Sequence, residues 1–95
     1  MYILEGYEEA FIGFFEKEER VFIAVYDRKK CVDLVMKNEK LKHEDAIEYF
    51  EKFVEGNLKE DDAPVILNPM DYHGYLELSE YLNFENKRFN PNSLH

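Results

Sequence analysis

The chain is poor in the residues on which several protein classes depend. Its 95 residues include one cysteine, Cys31, so no intramolecular disulfide can form and a disulfide-stabilised secreted scaffold is excluded. Serine occurs twice and threonine is absent. The sequence also contains no glycine-rich phosphate loop, no serine nucleophile elbow and no zinc-protease helix motif. We therefore predict that the protein is not an enzyme.

Long apolar segments are also missing. No stretch approaches the ~18 consecutive apolar residues of a membrane helix, and the early Glu5 does not fit a signal peptide. We therefore expect no membrane contact and, with a single cysteine, a reducing cytoplasmic compartment. Basic residues are few: 12 Lys and Arg stand against 21 Asp and Glu, for a formal charge of −9. This charge disfavours direct binding to nucleic acid and favours a basic protein partner.

Apolar and aromatic residues are sufficient for a folded core. Apolar residues make up 45% of the chain and aromatic residues 16%. Because tryptophan is absent, Phe and Tyr are expected to fill the interior. A chain of this length forms one domain. We predict a single domain over residues 1–83 and a polar C-terminal tail over residues 84–95.

The first part of the domain has the pattern of a β-hairpin. Apolar segments at residues 9–15 and 20–26 flank the charged residues 16–19. The first segment is apolar on both faces, which predicts that both are covered, and Gly13 indicates either a bulge or a close backbone approach. The second is a continuous apolar run suited to the middle of a sheet. A third strand over residues 64–67 is expected to return to this hairpin.

The rest of the domain has helical periodicity. Asp27 is a predicted N-cap for a helix with Cys31 on its apolar face, where we interpret the cysteine as a core residue. A second helix carries Ala46 and Phe50 on its apolar face, and a third includes Tyr75 and Leu78. The predicted fold is therefore α+β, with a small antiparallel sheet (the hairpin plus a third strand) packed against two or three helices in the order β-β-α-α-β-α.

The second helix carries the main candidate for a partner-binding surface. Four acidic residues recur at i, i+4, i+7 and i+11: Glu44, Glu48, Glu51 and Glu55. On a helix they form one row with steps of ~4.5 to 6 Å, comparable with successive backbone phosphates. Three further acids follow the helix: Glu60, Asp61 and Asp62. The row is typical either of a DNA mimic that binds a basic protein or of an ordinary solvated helix face, and both interpretations stay open.

Two other surfaces are candidates. Arg28, Lys29 and Lys30 stand at the start of a helix and form an alternative anion-binding site. Five tyrosines are candidates for an exposed aromatic partner surface, and they or an open strand edge could serve a homodimer: Tyr2, Tyr7, Tyr72, Tyr75 and Tyr81. The histidines lack metal-ligand spacing, so we predict no metal and no cofactor.

Several segments in order resemble a family of small uncharacterised proteins of tailed bacteriophages and prophages. The matching segments are A-V-Y-D at 24–27, K-C-V-D-L-V-M at 30–36, E-D-A-I-E-Y-F-E at 44–51, Gly56 and A-P-V-I at 63–66. The chain departs from the family pattern at Phe53, Glu60 and Ala63. The resemblance implies a viral origin and the cytoplasm of a host bacterium, and it supplies no activity.

Charge and resemblance together lead to one functional hypothesis. We expect a protein that binds and inhibits a host nucleic-acid-binding factor, such as a restriction enzyme, a CRISPR effector or RNA polymerase, with DNA mimicry as the specific mechanism. The alternatives are a small-ligand or nucleotide-binding protein and a component of the virion or its assembly.

Overall fold

The computed structural model describes residues 1–83 and 87–93. Its elements are β1 (Phe11–Glu18), β2 (Val21–Asp27), α1 (Arg28–Glu39), α2 (His43–Phe53), β3 (Val65–Leu67) and α3 (Tyr72–Leu82), with short 3-10 turns at Glu8–Ala10, Glu55–Asn57 and Pro91–Ser93. The order β-β-α-α-β-α confirms the predicted α+β class. Of the predicted tail, residues 84–86 and 94–95 lie outside the described residues.

The sheet is mixed, which corrects the predicted antiparallel arrangement. The strand order is β1-β2-β3, so β2 is central as expected. β1 pairs antiparallel with β2, whereas β3 pairs parallel with β2. The reason is the path after β2: the α1–α2 pair returns the chain to the end where β2 finishes, and an ion pair between Arg28 and Glu55 marks this return. The following loop then runs to the opposite end of the sheet before β3 begins.

The loop makes a contact with the hairpin that shows where it runs. The Lys17 amine, close to the β1–β2 turn, donates a hydrogen bond to the backbone carbonyl of Asp61 at 3.2 Å. The loop therefore reaches the hairpin end of the molecule, and β3 leaves that end in the same direction as β2. A parallel pair requires such a crossover connection.

Gly13 lies at a β-bulge, as predicted. The pairing of β1 with β2 shifts register between Phe11 and Gly13, and Gly13 has φ +154°, a conformation that L side chains rarely adopt. The bulge places Phe11 and Phe14 on the same face of the sheet as Tyr26. The Phe11 and Tyr26 ring centroids are 5.6 Å apart, and those of Phe14 and Phe22 are 5.7 Å apart.

The helical core lies on the Tyr26 face of the sheet. Its buried members are Leu4, Ala10, Ala24, Tyr26, Cys31, Val32, Val35, Ala46 and Phe50. Cys31 is 0% exposed, which confirms it as a core residue, and burial raises the pKa of its thiol to about 12. The Leu4 amide donates a 2.9 Å hydrogen bond to the Tyr26 hydroxyl and fastens the N-terminal segment to this face.

Two of the three helices begin at an aspartate cap. Asp27 ends β2 and also caps α1, since its side chain accepts a hydrogen bond from the Lys30 amide at 3.1 Å. This predicted cap is confirmed. Asp71 caps α3 in the same way through the Gly74 amide at 2.7 Å. α2 has no side-chain cap at Lys42. Instead, the acidic side chains of Glu44 and Asp45 in its first turn interact favourably with the positive end of the helix dipole.

The expectation that both faces of the first strand are covered is wrong. Phe14 is 60% exposed and Phe15 is 44% exposed. Helices α1 and α2 are about 16 to 18 Å long, whereas an eight-residue strand spans about 26 Å. The hairpin therefore extends beyond its helical cover. The radius of gyration is 16.3 Å, compared with about 12 Å for a compact chain of this length.

Candidate functional site

Three glutamates form an exposed row on α2. Glu44, Glu48 and Glu51 point away from the core, because the same helix buries Ala46 and Phe50 completely on its opposite side. A period of 3.6 residues separates these two sets by about half a turn. Successive carboxylates are spaced by about 6 and 4.5 Å along the helix axis. We call these three residues the α2 acidic row.

Glu55 is the fourth predicted member of the row and has a different environment. Helix α2 ends at Phe53, so Glu55 belongs to the following 3-10 turn. The Arg28 guanidinium pairs with both Glu55 carboxylate oxygens, one of them at 2.7 Å from Nη2. This hydrogen-bonded pair raises the pKa of Arg28. Glu55 is therefore neutralised within the chain and adds little to the charge of the row.

The acidic loop after α2 lies close to a second group of acids that sequence reasoning missed. Glu60, Asp61 and Asp62 are exposed, and the Lys17 contact with Asp61 holds their loop against the hairpin. The hairpin end itself exposes Glu16, Glu18 and Glu19. The only signal for this group in the sequence is the charged run at residues 16–19, and nothing in it indicates a contact with residue 61. The structure therefore concentrates acids at the hairpin end as well as on α2.

The three residues of the alternative anion site are separated by the fold. Arg28 and Lys29 line an open groove of about 250 Å³ with His43 and Asn68, and its apolar surface comes from Val32, Ile47 and Pro69. Lys30 instead lines another groove, beside Glu9 and Asp33. The first groove lies where the parallel strands β2 and β3 end. Arg28 of this groove is paired with Glu55, and the other basic side chains that line the groove are Lys29 and His43.

The tyrosines fall into two sets. Tyr2 and Tyr7 pack against the core, and the Tyr7 ring meets Phe50 edge-on at 5.7 Å. Tyr72, Tyr75 and Tyr81 lie on α3, where the rings of Tyr72 and Tyr75 stack at 6.1 Å. Within the described ranges, no group of three or more His, Cys, Asp or Glu side chains is placed to hold a metal ion.

An exposed apolar surface lies at the hairpin and was not predicted. Met1, Phe14 and Phe22 line an open groove of about 210 Å³. Phe11, Ile12 and Phe15 are also largely exposed along β1. Sequence reasoning missed this surface because apolar residues on both faces of a strand are typical of a covered strand. Exposed patches of this kind on a small protein often mark a partner surface.

Comparison with known proteins gives no further assignment. No protein-family model, curated protein or solved structure matches this chain. The resemblance to bacteriophage proteins therefore stays a prediction. Across residues 1–83 and 87–93, every helix is too short or too polar to cross a bilayer.

Proposed function

We propose that this protein acts by binding a basic, nucleic-acid-binding protein of a host bacterium and inhibiting it. The observation that carries the proposal is the α2 acidic row, in which Glu44, Glu48 and Glu51 are exposed side by side on a helix packed firmly against the core. The helix fixes the spacing of the backbone positions from which these three carboxylates project. A cationic groove that has evolved to hold phosphates can accept such a row in place of DNA.

The charge of the whole chain supports the same conclusion. A formal charge of −9 steers the protein toward basic surfaces and away from nucleic acid. The acids at the hairpin end add to this negative field, whereas the charge of Glu55 is offset by its ion pair with Arg28. The resulting attraction is electrostatic, so binding should weaken steeply as salt is raised.

A pair of matched charge reversals tests the role of the α2 acidic row. The partner is first identified by affinity purification from infected bacteria and mass spectrometry, and its affinity is then measured with purified proteins. Glu48→Lys with Glu51→Lys should weaken binding at least about tenfold, since like charges then face each other across the interface. The control is Glu77→Lys with Glu80→Lys, which changes two exposed glutamates of α3 at the same i, i+3 spacing.

The control separates a specific surface from general charge attraction. Both double variants alter the formal charge equally, so an equal loss of affinity would show that the α2 acidic row is only a solvated face. DNA mimicry also requires competition: duplex DNA must displace this protein from the partner. If the partner binds DNA and this protein at the same time, DNA mimicry is ruled out, and the protein binds elsewhere on its target.

A second candidate function is the binding of a small anionic ligand. The observation that favours it is the groove at the ends of β2 and β3, with Lys29 and His43 beside an apolar surface. A phosphate-bearing ligand should raise the melting temperature by mass action. Lys29→Ala should abolish this shift, whereas Lys30→Ala should retain it, because Lys30 lies outside the groove. The absence of a shift across a nucleotide panel would eliminate this function.

A further inference from the structure

The outer edge of β1 is open. β1 is the first strand of the sheet order β1-β2-β3 and pairs only with β2 among the described strands. Register irregularities lie between Phe11 and Gly13 and between Glu16 and Glu18, so the regular part of this edge is residues 13–16. The backbone groups that point away from β2 there have no backbone partner within residues 1–83 and 87–93. Such an edge can pair with another strand.

The usual protection of an edge strand is weak here. Proline is absent from β1, and its one lysine, Lys17, is turned toward the carbonyl of Asp61. Phe14 and Phe15, in the middle of the regular stretch, are largely exposed. Natural edges are commonly guarded by charged side chains, proline, β-bulges or a covering element, and β1 has such guards only toward its ends, in its two register irregularities and in Glu16 and Glu18. The edge of β1 instead presents two aromatic side chains, one on each face.

An added strand would find side-chain contacts on both faces. Alternate residues of a strand point to opposite sides. On one side they would meet Phe14, which borders the groove that it forms with Met1 and Phe22. On the other side they would meet Phe15. Backbone pairing would supply affinity and these aromatic contacts selectivity, as in other strand-addition complexes.

Charge determines which partner fits. Exposed acids stand at both ends of β1: Glu8 and Glu9 before it, and Glu16, Glu18 and Glu19 at its end. A second copy of this chain also carries a formal charge of −9, so the two copies would repel each other. Pairing of their β1 edges would also place acidic side chains of one copy close to those of the other. A segment with Lys or Arg at both ends is complementary to these positions. We propose that β1 accepts an extended segment of a basic partner as a fourth strand, apolar at alternate positions and basic at both ends.

This proposal does not depend on the α2 acidic row and is tested with a defined probe. The probe is a fluorescent synthetic peptide of alternating valine and threonine between pairs of lysines, added to the full-length chain. Fluorescence anisotropy measures binding, and hydrogen exchange locates it. Bound peptide should slow amide exchange in β1 and leave exchange in β3, at the other edge, unchanged. Replacing the central residue of the peptide with proline should abolish binding, because proline cannot complete a strand ladder.

Matched variants test how much individual side chains of the β1 edge contribute to peptide affinity. Phe14→Lys should lower peptide affinity at least about tenfold. Phe89→Lys, which makes the same change at an exposed phenylalanine outside the sheet, should retain it. Circular dichroism checks that both variants are folded. Glu9→Gln with Glu18→Gln should weaken binding and reduce its salt dependence, since one acid is lost at each end of the strand.

Four results of the peptide experiments would overturn the proposal. They are the absence of protection in β1 at saturating peptide, protection of β3 instead, equal binding of the proline peptide, and equal affinities of the Phe14 and Phe89 variants. Concentration-dependent self-association with protection of β1 in the absence of peptide would also overturn it, because the occupant would then be a second copy. Each result is independent of Glu48 and Glu51, so this test and that of the α2 acidic row can fail separately.

Discussion

The two strands of the hairpin have similar apolar sequences and opposite environments. Phe14 pairs with Ala24 and Phe15 pairs with Ile23. Ala24 and Ile23 are 0% and 2% exposed, whereas the phenylalanines beside them are 60% and 44% exposed. Hydrophobicity cannot explain this difference, since phenylalanine is the larger apolar residue. Position in the fold explains it: Ala24 packs into the helical core, whereas β1 is an edge strand that extends beyond α1 and α2.

The covered and exposed parts of this chain therefore have different roles. The covered part, around Tyr26 and Phe50, supplies stability. The exposed part has little to contribute to folding and retains an apolar surface and an open edge. Three predictions test this division, in order of decreasing effect.

The largest effect should come from a matched truncation of two phenylalanines. Phe50→Ala removes a fully buried ring from the core, which should lower the free energy of unfolding by about 3 to 5 kcal/mol. Phe14→Ala removes an exposed ring and should lower it by less than about 1 kcal/mol. Urea denaturation followed by circular dichroism measures both. Similar losses would show that the exposed part of the hairpin is part of the stabilising core, and the comparison would fail.

A pH effect at Cys31 should be smaller. Burial raises the pKa of the folded thiol to about 12, whereas an unfolded thiol ionises near ~8.5. Above ~8.5 the unfolded chain loses this proton more readily than the folded chain, so stability falls as pH rises toward the folded value. Below ~8.5 this contribution is constant. The slope is at most about 1.4 kcal/mol per pH unit.

The matched variant for this measurement is Cys31→Ala, which has no titrating group at the position. Its unfolding free energy, measured by urea titration at several alkaline pH values, should fall less steeply than that of the parent chain. Parallel curves would show that the thiol is not shielded from water. In that case the core around α1 would be more open than the burial of Cys31 indicates.

The smallest effect should come from the ion pair at the boundary of the covered part. Arg28 and Glu55 are about one-quarter exposed, so Glu55→Gln should cost between a few tenths and about 1 kcal/mol. The charge swap Arg28→Glu with Glu55→Arg should recover much of this loss in a thermal melt. A loss several times larger would mean that the α1–α2 pair depends on this contact rather than on its apolar packing.

Local features of the fold could be predicted from the sequence because their causes lie within a few residues. Asp27 caps α1 through an amide three positions away, Gly13 permits the bulge by its own backbone freedom, and the period of α2 places its glutamates opposite Phe50. The α2 acidic row was visible for the same reason. Composition likewise determined the negative charge, which no folding can change.

Other features were decided only by tertiary structure, because they join residues far apart in the chain. The contact of Lys17 with Asp61 and the pair of Arg28 with Glu55 lie along the path that brings β3 parallel to β2, and the second also pairs Glu55 of the predicted acidic row with a cation. The exposure of Phe14 and Phe15 depends on where two helices end relative to a strand. Residue type and local periodicity specify which residues are apolar, charged or helical, whereas the packing of distant segments specifies which of them are left at the surface.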